Sequence, residues 1–264
     1  MKKTVFNIIV YVMLFLILQM LVGVIIKTVW QMVTGGTDVT TTQLVVSMAI
    51  FNALIIAIFW LAGWTAVSAR WLLTRQWLVL LWAVIAALGM LIPMTWLQEH
   101  MPELPNLIEN EQELLMGNYW GYLVIGLMAP LAEEFVFRGA VLRTLLGWSS
   151  PISNHPSPTA AIIISALLFA VVHLNPAQMP YAFIAGLLLG WMYWRTGSIL
   201  PGMAYHWANN SAAYIVYHAY PDPDLKLIDV FQGSETHVLM AVFFSLLILL
   251  PALFQLHVWM RRAA

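Results

Sequence analysis

Glu133 and Glu134 stand side by side within a long apolar stretch of the chain, in Ala129-Pro130-Leu131-Ala132-Glu133-Glu134-Phe135-Val136-Phe137-Arg138-Gly139. Arg138 follows Glu134 by four residues, so on a helix the two share a face, with the acid on the favoured N-terminal side. Pairing would neutralise both. Glu133 lies about 100° around the same helix and finds no such partner there. A carboxylate at membrane depth costs about 2.5–3.5 kcal/mol on insertion scales, which makes an unpaired one a functional-site candidate. Its partners must come from other helices, and three polar residues at comparable depth qualify: His173 in Phe169-Ala170-Val171-Val172-His173, and His206 and Asn210 in His206-Trp207-Ala208-Asn209-Asn210. His206 and Asn210 are four apart and project from one face.

Such a set suits hydrolysis. Breaking a peptide bond requires an activated water, a donor for the developing oxyanion and a proton for the leaving amine. A desolvated glutamate is a better base than one in water. Glu133, His173 and His206 could instead bind zinc and leave a position open to water. Both versions use the same residues. For Glu134 and Arg138 a structural ion pair is the favoured reading. His100, His155, His218, His237 and His257 fall in loops or near span ends and read as interfacial or solvated.

The composition requires these residues to sit in a membrane. Of 264 residues, 62% are hydrophobic and 9% charged, against about 25% charged in a soluble domain. A net charge of −1 with thinly spread Lys and Arg excludes nucleic acid as a partner. The absence of cysteine removes disulfides, thiol catalysis and cysteine-bound zinc. A spanning helix needs about 20 largely apolar residues. On that basis the chain is all-α, a polytopic bundle of about eight spans: Val5–Trp30, Leu44–Val67, Trp77–Leu97, Tyr119–Leu146, Thr159–Leu174, Tyr181–Trp194, Ile199–Tyr217 and His237–Trp259. No linker divides it, so residues 1–264 form one membrane domain.

The charges orient the bundle. With the N-terminus in the cytoplasm, Lys2, Lys3, Arg70, Arg75, Arg138, Arg143, Arg195, Arg261 and Arg262 fall on or near the cytoplasmic side, nine of eleven cations. The acidic Glu99–Glu113 loop falls outside. The expected location is the cell membrane, multi-pass, with both termini cytoplasmic. At about 1.5 Å per residue, Glu133, His173 and His206 all approach the midplane.

The three motifs, Glu133-Glu134-x-x-x-Arg138, Phe169-x-x-x-His173 and His206-x-x-x-Asn210, each in its own apolar segment, resemble those of the CAAX protease and bacteriocin-processing (CPBP, Abi) family of intramembrane endopeptidases. The likeness covers about residues 119–217. It implies Glu133 as the base that activates water with His173 assisting, His206 and Asn210 as the oxyanion side, Glu134 and Arg138 as further motif residues, and Phe169 as support. It leaves a catalytic divalent metal such as zinc open, with no other cofactor. The implied partners are a peptide or membrane-protein substrate, lipid-modified or not, and the lipid bilayer. Other intramembrane protease chemistries lack their motifs: there is no His-Glu-x-x-His, no pair of membrane aspartates and no Gly-x-Ser-Gly. A proton-coupled transporter, with the buried Glu and His as a relay, is the alternative reading. A non-catalytic bacteriocin-immunity protein is a third.

Overall fold

The computed structural model describes residues 2–66, 77–147, 157–222 and 225–260. Val67, Arg70, Arg75, His155, Asp224, Arg261 and Arg262 lie outside the described residues, and with them several of the charges used to orient the chain. The described part is helical throughout: α1 (Lys2–Thr34), α2 (Thr41–Leu61), α3 (Trp77–Glu99), α4 (Glu109–Met116), α5 (Tyr119–Leu145), α6 (Pro158–Val171), α7 (Met179–Thr196), α8 (Leu200–Ala219), α9 (Leu227–Val230) and α10 (Glu235–Trp259). Each expected span has a helix. Five of these helices, α1, α2, α3, α5 and α10, are long and apolar enough to cross a membrane.

Local chemistry sets the helix ends. Thr40, Asn118, Ser157 and Ser234 are N-caps whose side-chain oxygens accept from backbone N–H groups of the first turn. Gly197, with φ +69°, ends α7 in the left-handed conformation that glycine adopts without strain. The second span was expected to run to Val67. It stops at Leu61, because Ala62-Gly63 turns the chain, with Gly63 at φ +66°. The fifth was expected to reach Leu174. It stops at Val171, so His173 stands in the turn beyond the helix, followed by Leu174 at φ 51°.

α5 is the axis of the fold. α1, α2, α6, α7 and α8 pack around it, while α10 lies along α3. Small residues allow the close approaches, as in membrane bundles generally. A Cβ on Gly89 of α3 would stand 2.9 Å from the Leu249 backbone nitrogen of α10, and one on Gly186 of α7 would stand 3.0 Å from the Ala166 Cβ of α6.

α5 is not uniformly α-helical. Leu123–Met128 and Phe135–Leu142 are π-helical, and the α-helical turn Ala129–Glu134 between them carries the two glutamates. Wide π turns are uncommon and gather at functional sites. Here side chains from neighbouring elements bond carbonyls of the widened stretches. Thr65 Oγ1 donates to the Phe135 carbonyl at 2.5 Å, Ser165 Oγ to that of Phe137 at 3.0 Å, and Asn210 Nδ2 to that of Ile125 at 3.0 Å. These donors replace water, which the bilayer core cannot supply.

Candidate active site

Glu134 and Arg138 meet as the sequence suggests: Arg138 Nη1 donates to Glu134 Oε1 at 2.8 Å, with neither side chain exposed. Arg138 Nη2 reaches across to the Gly186 carbonyl of α7 at 3.2 Å. The guanidinium also lies over the Phe169 ring, 4.4 Å from its centroid, a cation–π contact that gains strength away from water.

His206, from α8, stands between the two carboxylates. Its Nε2 is 3.7 Å from Glu133 Oε2 and its Nδ1 is 3.6 Å from Glu134 Oε1. These are ion-pair separations, longer than a direct hydrogen bond. Glu133 keeps 19% of its side-chain surface exposed, whereas Glu134 keeps none. The adjacent acids thus have different environments. One is locked to a buried cation and the other is accessible. Among the described residues, Glu133 Oε2, Glu134 Oε2, Arg138 Nε and His206 Nδ1 are buried and have no hydrogen-bond partner in the protein. Buried polar atoms are ordinarily paired, so four in one cluster mark a place where hydrogen-bonding capacity is held in reserve.

Phe169 organises the rest. Its ring meets His173 edge-on at 4.9 Å and 88°, and His206 at 5.9 Å and 90°. Its backbone carbonyl accepts from His173 Nδ1 at 2.7 Å. With Nδ1 as the donor, the neutral ring of His173 carries its lone pair on Nε2. His173 makes no ion pair with either glutamate; those of Glu133 and Glu134 are with His206 and Arg138.

The zinc arrangement that the motifs left open is not formed. Among the described residues no group of three or more His, Asp or Glu side chains is placed to hold a metal. His206 directs its two ring nitrogens at different carboxylates, whereas His173, with Nδ1 on a backbone carbonyl, keeps Nε2 free.

Asn210 is fixed through its amide. Its Nδ2 donates to the Ile125 carbonyl, its Oδ1 accepts from Asn209 Nδ2 at 3.2 Å, and Asn209 Oδ1 accepts from the Tyr181 hydroxyl.

Several site-shaping residues lie outside the motifs. Gly202 of α8 lets Glu134 pass: a Cβ there would stand 2.6 Å from Glu134 Oε2. Asn175, fully buried, staples the His173 turn to the loop before α4. Its Oδ1 accepts from Leu107 N at 3.0 Å, and its Nδ2 donates to Asn106 Oδ1 at 2.8 Å. The Asn175-Pro176 dipeptide, a turn signal, could have drawn attention to it. Nothing local marks Gly202, Thr65 or Tyr181.

Residues 115–212 match the family described as type II CAAX prenyl endopeptidase Rce1-like. No curated protein and no solved structure matches the chain. The matched stretch runs from the end of α4 into α8 and contains Glu133, Glu134, Arg138, Phe169, His173, His206 and Asn210. With its buried polar centre inside a multi-pass helical membrane bundle, this core is similar to the CAAX-type (CPBP) family of intramembrane endopeptidases.

Proposed function

We propose that the protein hydrolyses a peptide bond of a membrane-associated or lipid-modified peptide, with Glu133 as the general base. The observation that carries this reading is the asymmetry of the two acids around His206. Glu134 is already neutralised by Arg138, while Glu133 is accessible, with one oxygen free of protein hydrogen bonds. Glu133 takes a proton from water as the water oxygen attacks the substrate carbonyl. His206, polarised between the carboxylates, and the Asn210 amide stabilise the oxyanion that forms. The C–N bond then breaks, and the proton held by Glu133 passes to the leaving amine. His173, with Nε2 as its acceptor, assists in holding the water. Glu134 and Arg138 fix the electrostatic frame, and Phe169 holds both imidazoles at right angles to its ring.

The nine-of-eleven cation asymmetry supports an orientation with both termini in the cytoplasm of a cell membrane and the Glu99–Glu113 loop outside. The 264 residues read as one membrane domain, since no linker interrupts them.

The test compares, by mass spectrometry, the membrane-associated peptides of cells carrying the wild-type chain with those of cells carrying Glu133→Gln. Gln keeps the size of Glu and some of its hydrogen bonding but cannot accept the proton. Peptides produced by the wild type and lost in the variant support the reading and give the substrate. Identical peptide sets at equal protein levels overturn it.

A further inference from the structure

We propose that Tyr181 and Asn209, which lie outside the three motifs, are positioning residues that set which end of the Asn210 amide faces the substrate. The inference rests on the reading of Asn210 as an oxyanion donor. An asparagine amide can serve in that role through its NH2 and opposes it through its carbonyl, and the two ends differ by a half-turn about the last side-chain bond. The structure holds that bond with a directional chain. The Ile125 carbonyl can only accept, so it requires the Asn210 NH2. Asn210 Oδ1 is thereby turned to Asn209, which must supply its own NH2. Asn209 Oδ1 is turned to Tyr181, whose hydroxyl donates. Turning Asn210 over would set NH2 against NH2 at Asn209 and carbonyl against carbonyl at Ile125. One N–H of Asn210 is used on Ile125, and the second hydrogen of the same nitrogen remains for a substrate oxygen.

The chain also ties three elements together. Ile125 lies in the first π-helical stretch of α5, Asn209 and Asn210 in α8, and Tyr181 in α7. The carbonyl that orients the oxyanion donor therefore belongs to the helix that carries Glu133. Asn209, only 8% exposed, is shielded from water that could substitute for its bonds.

The experiment uses the full chain in detergent and a quenched fluorescent peptide ending in a farnesylated CAAX sequence. The variants are Tyr181→Phe, which removes one hydroxyl, and Asn209→Asp, which keeps the size but presents an oxygen where Asn210 needs a donor. Asn209→Asp is expected to lower kcat by about a hundredfold and Tyr181→Phe by about tenfold, the scale of a misplaced catalytic group, with KM within about twofold. In an Asn210→Ala background each change should cost less than about twofold more. Multiplicative losses in that background, or KM effects without kcat effects, overturn the inference. Should Asn209→Asp fail to fold, Tyr181→Phe decides alone. Full activity of both variants, with cleavage still lost in Glu133→Gln, overturns the positioning role and leaves the hydrolytic reading standing. Should the wild type leave this peptide intact, the same variants are assayed on a peptide identified by the mass-spectrometric comparison, and Glu133→Gln that cleaves normally overturns both readings.

Discussion

Arg138 and Glu134 meet at 2.8 Å with no exposed side-chain surface on either, an arrangement whose members are worth little apart. Removing one partner of a buried pair strands the other and costs about 3–5 kcal/mol, whereas replacing both with well-packed apolar groups can be nearly neutral. Glu134→Gln and Arg138→Met are therefore each expected to be strongly destabilising, and the double change Glu134→Leu with Arg138→Met to be milder than either. Thermal unfolding of the detergent-solubilised variants checks the order. A double variant as unstable as the sum of the singles would contradict it.

Gly202 gives a test of how tightly the acid is held. The added methyl of Gly202→Ala would stand 2.6 Å from Glu134 Oε2 and 3.4 Å from Leu189 Cδ2. The carboxylate must shift, yet Arg138 holds its other oxygen. Overpacking of this kind costs about 1–3 kcal/mol, and cleavage should fall with stability. Gly23→Ala in α1 meets nothing within 4 Å and should leave both unchanged.

The turn that carries His173 depends on Asn175. Asn175→Ala removes two hydrogen bonds and leaves Leu107 N without its side-chain acceptor, whereas Asn106→Ala removes only the exposed partner of one. Losing a buried partner costs about 1–3 kcal/mol. Asn175→Ala should accordingly lower both thermal stability and turnover, and Asn106→Ala should lower them less. Equal effects would show that the staple does not act through Asn175.

Because the chain has no cysteine, Glu109→Cys introduces a single reporter thiol. Membrane-impermeant maleimide should label it from outside intact cells, and labelling that requires the cytoplasmic face would reverse the orientation.

The sequence made the chemistry more legible than its setting. Glu133, Glu134, Arg138, His206 and Asn210 stand out because charge and amide groups are scarce in apolar runs and i, i+4 spacing projects pairs from one face; the Arg138–Glu134 bond follows that logic directly. Five of the helices, α1, α2, α3, α5 and α10, were legible for the same reason, as apolar runs of membrane length. What stayed hidden depends on groups distant in sequence. The π turns of α5 are stabilised by Thr65, Ser165 and Asn210 on other elements, so no local pattern announces them. The position of His173 past its helix end is fixed by a left-handed Leu174 and by Asn175, and an apolar run that continues through Leu174 gives no sign of it. Gly202 matters only because a carboxylate from another helix fills the space beside it.

The two π-helical stretches also give α5 a slack in length that a uniform α-helix lacks. An α-helix turns about 100° per residue, and a π turn accommodates an additional residue within nearly the same rise. Deleting one residue from Phe135–Leu142 would let the wide turn close to an ordinary α-helical one with the later side chains of α5 facing nearly as before, while the Phe135 and Phe137 carbonyls now met by Thr65 and Ser165 would be taken back into the helix's own ladder. In a uniformly α-helical span such as α2 the same deletion would turn every later side chain by about 100°, so the loss of a single residue meets very different tolerances in neighbouring helices of one bundle.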